Sequence, residues 1–511
     1  MKSKYIELKK IELVWIKCML ILPLMIGISS CNKYLDVAPS KSSSVVVSKT
    51  EDLEAILNNY SEFSQEPSFT RLYGTDDFEM STALYDRAAS TYTLQNYQFG
   101  FWDRQYTPQT AEPGWSGEFK KIFYANLVLT SLDKVTGTEE AKSRLKAEAH
   151  FVRAYSYWIL ANTFCLPYTE ATRNELGLPI KLSTSFEEDL VRAPLYKVYE
   201  LIESDLQEAL KTNLPLIQSG VVRNWRANVA AVNTFAARYY LHRGNYTEAE
   251  KYASISLNAY NDLVDYNTEV KVGLTYPVMV NGLPATIDLP NTVFGSSFSS
   301  GIPWREFTYF RTQTINIFCT TSPNLDSQYD HEHDLRYKWH HVKGLLYLFA
   351  PATANPALVQ PSYAFFEFNK LPSGPTVAEA ILIKAEALAR LSRIQEAMTT
   401  INVLRAKRMT PGNWVNLVAG SQREAIDKIL QERRREVPFS QRWYDLRRLN
   451  NNDDPLDDKV VVKQFYEFDN TRVYSDKPKT YTLEKNSRRY AAPIPQTDIT
   501  ASNNVIQQNT Y

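Results

Sequence analysis

The chain has 511 residues, four Cys, and 57 basic against 57 acidic side chains, for a formal net charge of zero. That length can bury a sizeable core, the even balance excludes the basic excess of a nucleic-acid binder, and four Cys are too few for a disulfide scaffold. Its 9 Trp, 32 Tyr and 23 Phe put Tyr ahead of Phe, which points to surfaces needing a flat apolar face with a polar tip.

Lys2, Lys4, Lys9, Lys10 and Lys17 form a basic lead, and residues 18–28 are uncharged and mostly apolar. That run is too short to span a bilayer and has the length of a signal-peptide core. Ser29 and Ser30 lead into Cys31, and Ile28-Ser29-Ser30-Cys31 resembles a bacterial lipobox. This predicts cleavage after residue 30 and lipidation of Cys31. The processed chain of 481 residues has 52 basic and 55 acidic groups, net −3, and keeps Cys165 and Cys319 as its unmodified thiols. These read as isolated buried thiols. Each buried methylene of a palmitate-type chain contributes about 0.8 kcal/mol, so two or three chains anchor a body without a spanning helix. No later stretch reaches 18 apolar residues, the length a membrane helix needs.

Residues 31–50 read as the lipidated Cys and a Ser-rich tether. Amphipathic helical periodicity follows at 51–60, 118–134, 139–163, 194–211, 226–242 and 247–260, the last two joined by a helix stop at Arg243-Gly244-Asn245-Tyr246. From about 265 to 375 the chain turns to Pro, Gly, Ser and Thr with β-leaning pieces such as 276–280 and 363–368, read as long loops with short strands. Helical periodicity returns at 376–391, 394–408 and 421–435, and the tail from Asp453 reads as loop and short strand. Ala237 precedes Ala249 by twelve residues across a turn, and Ala385 precedes Ala397 by the same interval. Small residues at that spacing let antiparallel helices approach closely, as in tetratricopeptide repeats. The expected body is mostly α, with tetratricopeptide-like helix pairs forming a right-handed scaffold, long loops and a few short strands. Its two parts are residues 51–265, carrying ligand loops, and 266–511.

No Gly-rich phosphate loop, GxSxG, HExxH or paired CxxC occurs. His331-Glu332-His333-Asp334 with His340-His341 is the best metal candidate, but it reads better as a charged, solvated loop. Asp76-Asp77 and Glu187-Glu188-Asp189 supply acidic pairs of the kind glycoside hydrolysis uses, without specificity. Aromatic density is more informative. From Tyr60 to Tyr124, 16 of 65 residues are aromatic, among them Tyr73, Tyr92, Tyr97, Phe99, Phe101, Trp102, Tyr106 and Trp115 in a stretch of low periodicity. Phe298, Trp304, Phe307, Tyr309 and Phe310 form a second cluster. Loop aromatics suit the C–H faces of sugar rings, and neighbouring polar groups suit hydroxyls. The candidate ligand residues are therefore Tyr73, Asp76, Asp77, Trp102, Arg104, Trp115, Trp304 and Arg305. The competing reading is that these aromatics plug the loops onto the helical core.

Four stretches together resemble the SusD/RagB family of surface lipoproteins. They are the lipobox followed by Cys31-Asn32-Lys33-Tyr34-Leu35-Asp36; Glu148-Ala149-His150-Phe151-Val152-Arg153-Ala154-Tyr155; Glu432-Arg433-Arg434-Arg435-Glu436-Val437-Pro438-Phe439 with Arg442-Trp443-Tyr444-Asp445-Leu446-Arg447-Arg448; and Pro493-Ile494-Pro495 with the ending Gln508-Asn509-Thr510-Tyr511. Ser440-Gln441 is shorter than the family's usual link and lacks its Glu and Gly. The usual Pro-Gly before the last Tyr is absent, and Phe164-Cys165-Leu166-Pro167 replaces a Gly-Gly-Val-Pro-like turn. The charges of the third motif read as structural ion pairs rather than a binding site. The resemblance implies a non-enzymatic, cofactor-free glycan-binding protein, lipid-anchored at the outer membrane and facing the exterior, with a TonB-dependent SusC-like barrel as partner. The alternatives are a peptide-binding member of the same import system and a helical scaffold with no small ligand.

Overall fold

In the computed structural model, residues 47–88, 92–103, 111–185, 187–280, 282–294, 305–314, 319–345, 361–365 and 370–511 are described. Seventeen helices and a set of short strands occur among them, and Lys49–Tyr511 forms one compact unit. The nine helices expected from periodicity all form. They are Thr50–Leu57, Trp115–Ser131, Glu139–Phe164, Leu195–Ala209, Val229–His242, Tyr246–Ala259, Val377–Arg390, Ile394–Ala406 and Gln422–Glu436. Polar side chains set many of their starts: Thr138, Asn228, Asn245, Thr376 and Ser421 each accept a hydrogen bond from a backbone N–H of the first turn.

The helices pack in chain order. Trp115–Ser131 lies on Glu139–Phe164, which packs on Leu195–Ala209; Val229–His242 packs on Tyr246–Ala259, which meets Val377–Arg390, itself packed on Ile394–Ala406 and Gln422–Glu436. The four Ala of the twelve-residue spacing are fully buried, as close helix approach requires. The two turns between them are alike. Gly244 has φ +71°, with its N–H donating to Leu241 O and that of Asn245 to Tyr240 O. Ser392 has φ +62°, with its N–H donating to Ala389 O and that of Arg393 to Leu388 O. Both are Schellman-type stops, the second with Ser where Gly fits without strain. The Glu139–Phe164 helix is buried on nearly every face from Ala147 onward, because neighbours cover both of its sides.

Elsewhere the structure departs from the sequence reading. The aromatic-rich stretch forms short helices, Tyr60–Phe63, Phe69–Tyr73, Thr82–Ala88 and Leu94–Gly100, each too short to show a period. Arg442–Leu449 is a helix whose eight residues are all buried, so no amphipathic pattern marks it. Strand Val272–Val280 pairs antiparallel with Leu283–Pro290, and the tail carries a longer hairpin, Val461–Phe468 with Val473–Leu483. His331 and His333 lie outside any strand and meet the carboxylates of Asp326 and Asp330. No metal-binding group of His, Cys, Asp and Glu occurs among the described residues. Cys165 and Cys319 are buried free thiols.

Candidate functional site

Four of the eight sequence-derived ligand positions come together, but they face inward. Trp102 is 0% exposed and its indole Nε1 donates to Gly74 O at 2.9 Å. Tyr73, also 0% exposed, packs edge-on against Phe78 at 4.8 Å between ring centroids. Lys463 lies beneath both. Its ammonium donates to Tyr73 O at 2.6 Å and Gly100 O at 3.2 Å, and sits 5.4 Å from the Trp102 ring centre. Burial pushes the Lys463 pKa down to about 8. Tyr97, Phe99 and Phe101 are also buried, and Tyr97 and Phe101 stack on Phe465 of the tail hairpin. The expectation that this cluster presents flat faces to a ligand is thus corrected for Tyr73 and Trp102: their rings fill the core under the 69–103 segment.

Asp76 and Asp77 serve the same packing. Arg442 grips the Asp76 carboxylate with Nε at 2.7 Å and Nη2 at 2.8 Å, and Arg434 Nη2 lies 3.1 Å from it. Burial raises the Asp76 pKa, but Arg442 and Arg434 outweigh it and hold the carboxyl well below the usual range. Asp77, fully buried, accepts from Arg434 Nε at 2.8 Å and from the Phe439 N–H at 2.9 Å; burial dominates there and raises its pKa. The charged motif at 432–448 is therefore a clamp. Glu432 takes Arg405, Arg435 and Arg336; Glu436 takes Arg408 and Arg336; Arg433 pairs with Asp445; and Arg448 pairs with Asp445 and with Glu386. Each of these carboxylates is nearly or fully buried. An ion so placed is tolerable only because it is multiply paired.

The other positions lie apart. Trp115 is 3% exposed, wedged against Phe119 and Phe164 with ring centroids 4.9 Å from each. It contributes to the floor of an apolar groove of ≈ 600 Å³ bordered by half-buried Phe119, Phe123 and Tyr124. Arg305 is more open, its side chain 37% exposed, with Nη2 2.8 Å from Glu269 and its backbone O accepting from Tyr260 OH at 2.7 Å. Phe307, Tyr309 and Phe310 beside it are buried. Cys31, Arg104, Trp304, Tyr106 and Phe298 fall outside the described residues.

A second large cleft, of ≈ 570 Å³, escaped the sequence reading. The loop after the long helix supplies Tyr168, the Leu195–Ala209 helix Tyr199, and the Gly244 turn Arg243. The tyrosine rings stack at 4.3 Å and 12°, and the Arg243 guanidinium lies 4.2 Å from the Tyr168 ring centre. Three distant segments meet here, so no local pattern announces it.

Two family models match the chain. Residues 33–241 match the SusD-like family described as starch-binding and associating with the outer membrane, and residues 377–511 match the SusD family. The chain belongs to the SusD/RagB family. It is 26% identical over 384 residues to SusD-like protein P2 of Formosa agariphila, covering 66% of this chain and 71% of that one. SusD-like protein P38 of the same organism is 22% identical over 501 residues, covering 87% and 92%. A SusD superfamily structure from Bacteroides thetaiotaomicron superposes with a TM-score of 0.60 at 19% identity, covering 91% of this chain and 100% of that one. A laminarin-binding SusD-like protein gives 0.55 at 19% identity, covering 91% and 99%. These structural likenesses establish the fold.

Proposed function

We propose that this chain is a surface-exposed, lipid-anchored protein that binds oligosaccharides and passes them to a TonB-dependent, SusC-like barrel in the outer membrane. The observation that carries the reading is the match of residues 33–241 to the starch-binding, outer-membrane-associating family. The laminarin-binding relative of the same fold supports a glycan as ligand. Cys31 is the proposed lipid attachment point, read from the lipobox-like Ile28-Ser29-Ser30-Cys31; no described helix is long and apolar enough to cross a membrane. No catalytic role is assigned, because Asp76 and Asp77 are held by Arg442 and Arg434 rather than set across a cleft.

Ligand contact falls to Arg305, whose side chain is 37% exposed, with Arg104 and Trp304 as the sequence assigns them. An aromatic face with a neighbouring guanidinium matches a sugar ring and its hydroxyls. Metabolic labelling with an alkyne fatty acid tests the anchor, and the label should vanish in Cys31→Ser. Affinity purification from the native membrane tests the barrel partner. Binding of peptides and of no glycan would transfer the reading to a peptide-capturing member of the same system.

A further inference from the structure

The Tyr168–Arg243 cleft has an unusual charge balance for a neutral molecule. Arg390 and Arg448, which line it, are neutralised by Glu386, Asp457 and Asp445. Glu170 is engaged by Arg173 and Asp454 by Arg423. Among the described residues two cations are left over, against the one unpaired lining carboxylate of Asp453. Arg447, 2% exposed, donates among the described residues to the backbone oxygens of Tyr490, Cys165 and Ala161, and its buried Nε–H has no acceptor among them. Burial lowers its pKa, with no carboxylate among the leading influences. Arg243 is exposed and meets no carboxylate among the described residues; it lies against Tyr168 and Tyr199 instead. A guanidinium held over a ring keeps its in-plane N–H donors free for a carboxylate.

The remaining lining suits a sugar. The Asn451 amide donates to Arg447 O, and the Gln422 amide to Ala389 O and Arg390 O. That leaves each side-chain carbonyl as an acceptor for hydroxyl groups. The Tyr168 and Tyr246 rings, both half-buried, supply apolar surface. A volume of ≈ 570 Å³ is that of a small-ligand site.

We propose that this cleft is a second carbohydrate site, selective for a sugar ring that bears a carboxylate, a hexuronic acid residue, with the carboxylate held by Arg243 at the mouth and the ring over the tyrosines. None of the six described sequence-derived positions, Arg305 included, lines it, so the cleft is distinct from the surroundings of Arg305. Asp453, exposed at the rim, opposes an anion and limits affinity.

Calorimetric titration of the full-length protein with trigalacturonate and with its neutral methyl ester tests this. The acid should bind and the ester should not. Arg243→Gln should weaken the acid about tenfold, the value of one charge-assisted hydrogen bond, and Asp453→Asn should strengthen it. Arg243 is exposed, so the variant keeps its fold, and its melting temperature serves as control. Binding of neutral glycans should be unchanged in Arg243→Gln, which separates this site from the one proposed above. Absence of trigalacturonate binding up to millimolar concentration, equal affinity for acid and ester, or an Arg243→Gln affinity equal to that of the parent would each overturn the proposal.

Discussion

Arg434 Nε donates to Asp77 Oδ1 at 2.8 Å, joining positions 357 residues apart in the chain. Asp76, next to Asp77, is gripped in the same way by Arg442. Through this double pair the aromatic segment near the start of the described body is locked to the charged helix near its end. The two stretches that match separate family models are thus parts of one ionic clamp.

Removal of one partner from the clamp leaves the other buried and unpaired. Asp76→Ala strands Arg442, which is 8% exposed, and should cost about 3–5 kcal/mol in urea unfolding. A loss below about 1 kcal/mol, the level of a surface pair, would show that the clamp does not carry the packing.

The two Schellman-type stops allow a test by exchange. Ser392 holds φ +62° where Gly244 holds +71°. A left-handed non-Gly residue costs roughly 1–2 kcal/mol, so Ser392→Gly should stabilise the fold by about 1 kcal/mol and Gly244→Ala should destabilise it by a similar amount. Equal melting temperatures for both variants and the parent would contradict the assignment.

Acid sensitivity should begin above the carboxylate range. His340 is 1% exposed, its Nδ1 paired with Ala364 O at 3.1 Å and its Nε2 buried without a partner among the described residues; burial lowers its pKa from 6.5 to about 4. Between those values the unfolded chain binds a proton that the folded chain refuses. Stability is therefore complete above about pH 6.5 and falls as the pH drops towards about 4, by up to about 3 kcal/mol. Burial lowers the pKa of His341 and His242 too, so they steepen the same segment. His340→Gln should flatten part of this slope, measured as unfolding free energy against pH, and an unchanged slope would refute the assignment.

Much of the scaffold was legible because amphipathic helices longer than two turns show their period, and all nine such segments are helices. The repeat was half legible. The Ala pairs and Gly244 carry it, but Ser392 adopts the left-handed stop without the residue that signals one. The site was less legible for a physical reason. An aromatic in a low-periodicity stretch reads alike whether it faces solvent or a neighbouring hairpin, and Phe465 and Lys463, more than 350 residues away, are among the partners that make Phe101 and Trp102 core. The Tyr168–Tyr199–Arg243 stack combines three segments with no shared motif. By contrast, the ion-pair role read for residues 432–448 rested on the spacing of Glu432 and Glu436, and both accept several guanidinium groups in the fold.

Core and ligand roles separate by substitution. Trp102→Ala removes a fully buried indole and should cost about 3–5 kcal/mol. Arg305→Ala, at a half-open side chain, should change stability by about 0.5 kcal/mol or less. Thermal unfolding of the two variants side by side checks this, and the reverse order would contradict the burial assignment.

The central claim is glycan capture, with Arg305, whose side chain is 37% exposed, and Trp304 as the proposed contacts. Calorimetric titration of the full-length protein and of Trp304→Ala and Arg305→Ala against neutral oligosaccharides and peptides tests it most directly. At least one glycan should bind the parent, with affinity lost in the two variants while their melting temperatures stay at the parent's value. Binding of peptides alone, or glycan binding indifferent to both substitutions, would contradict it.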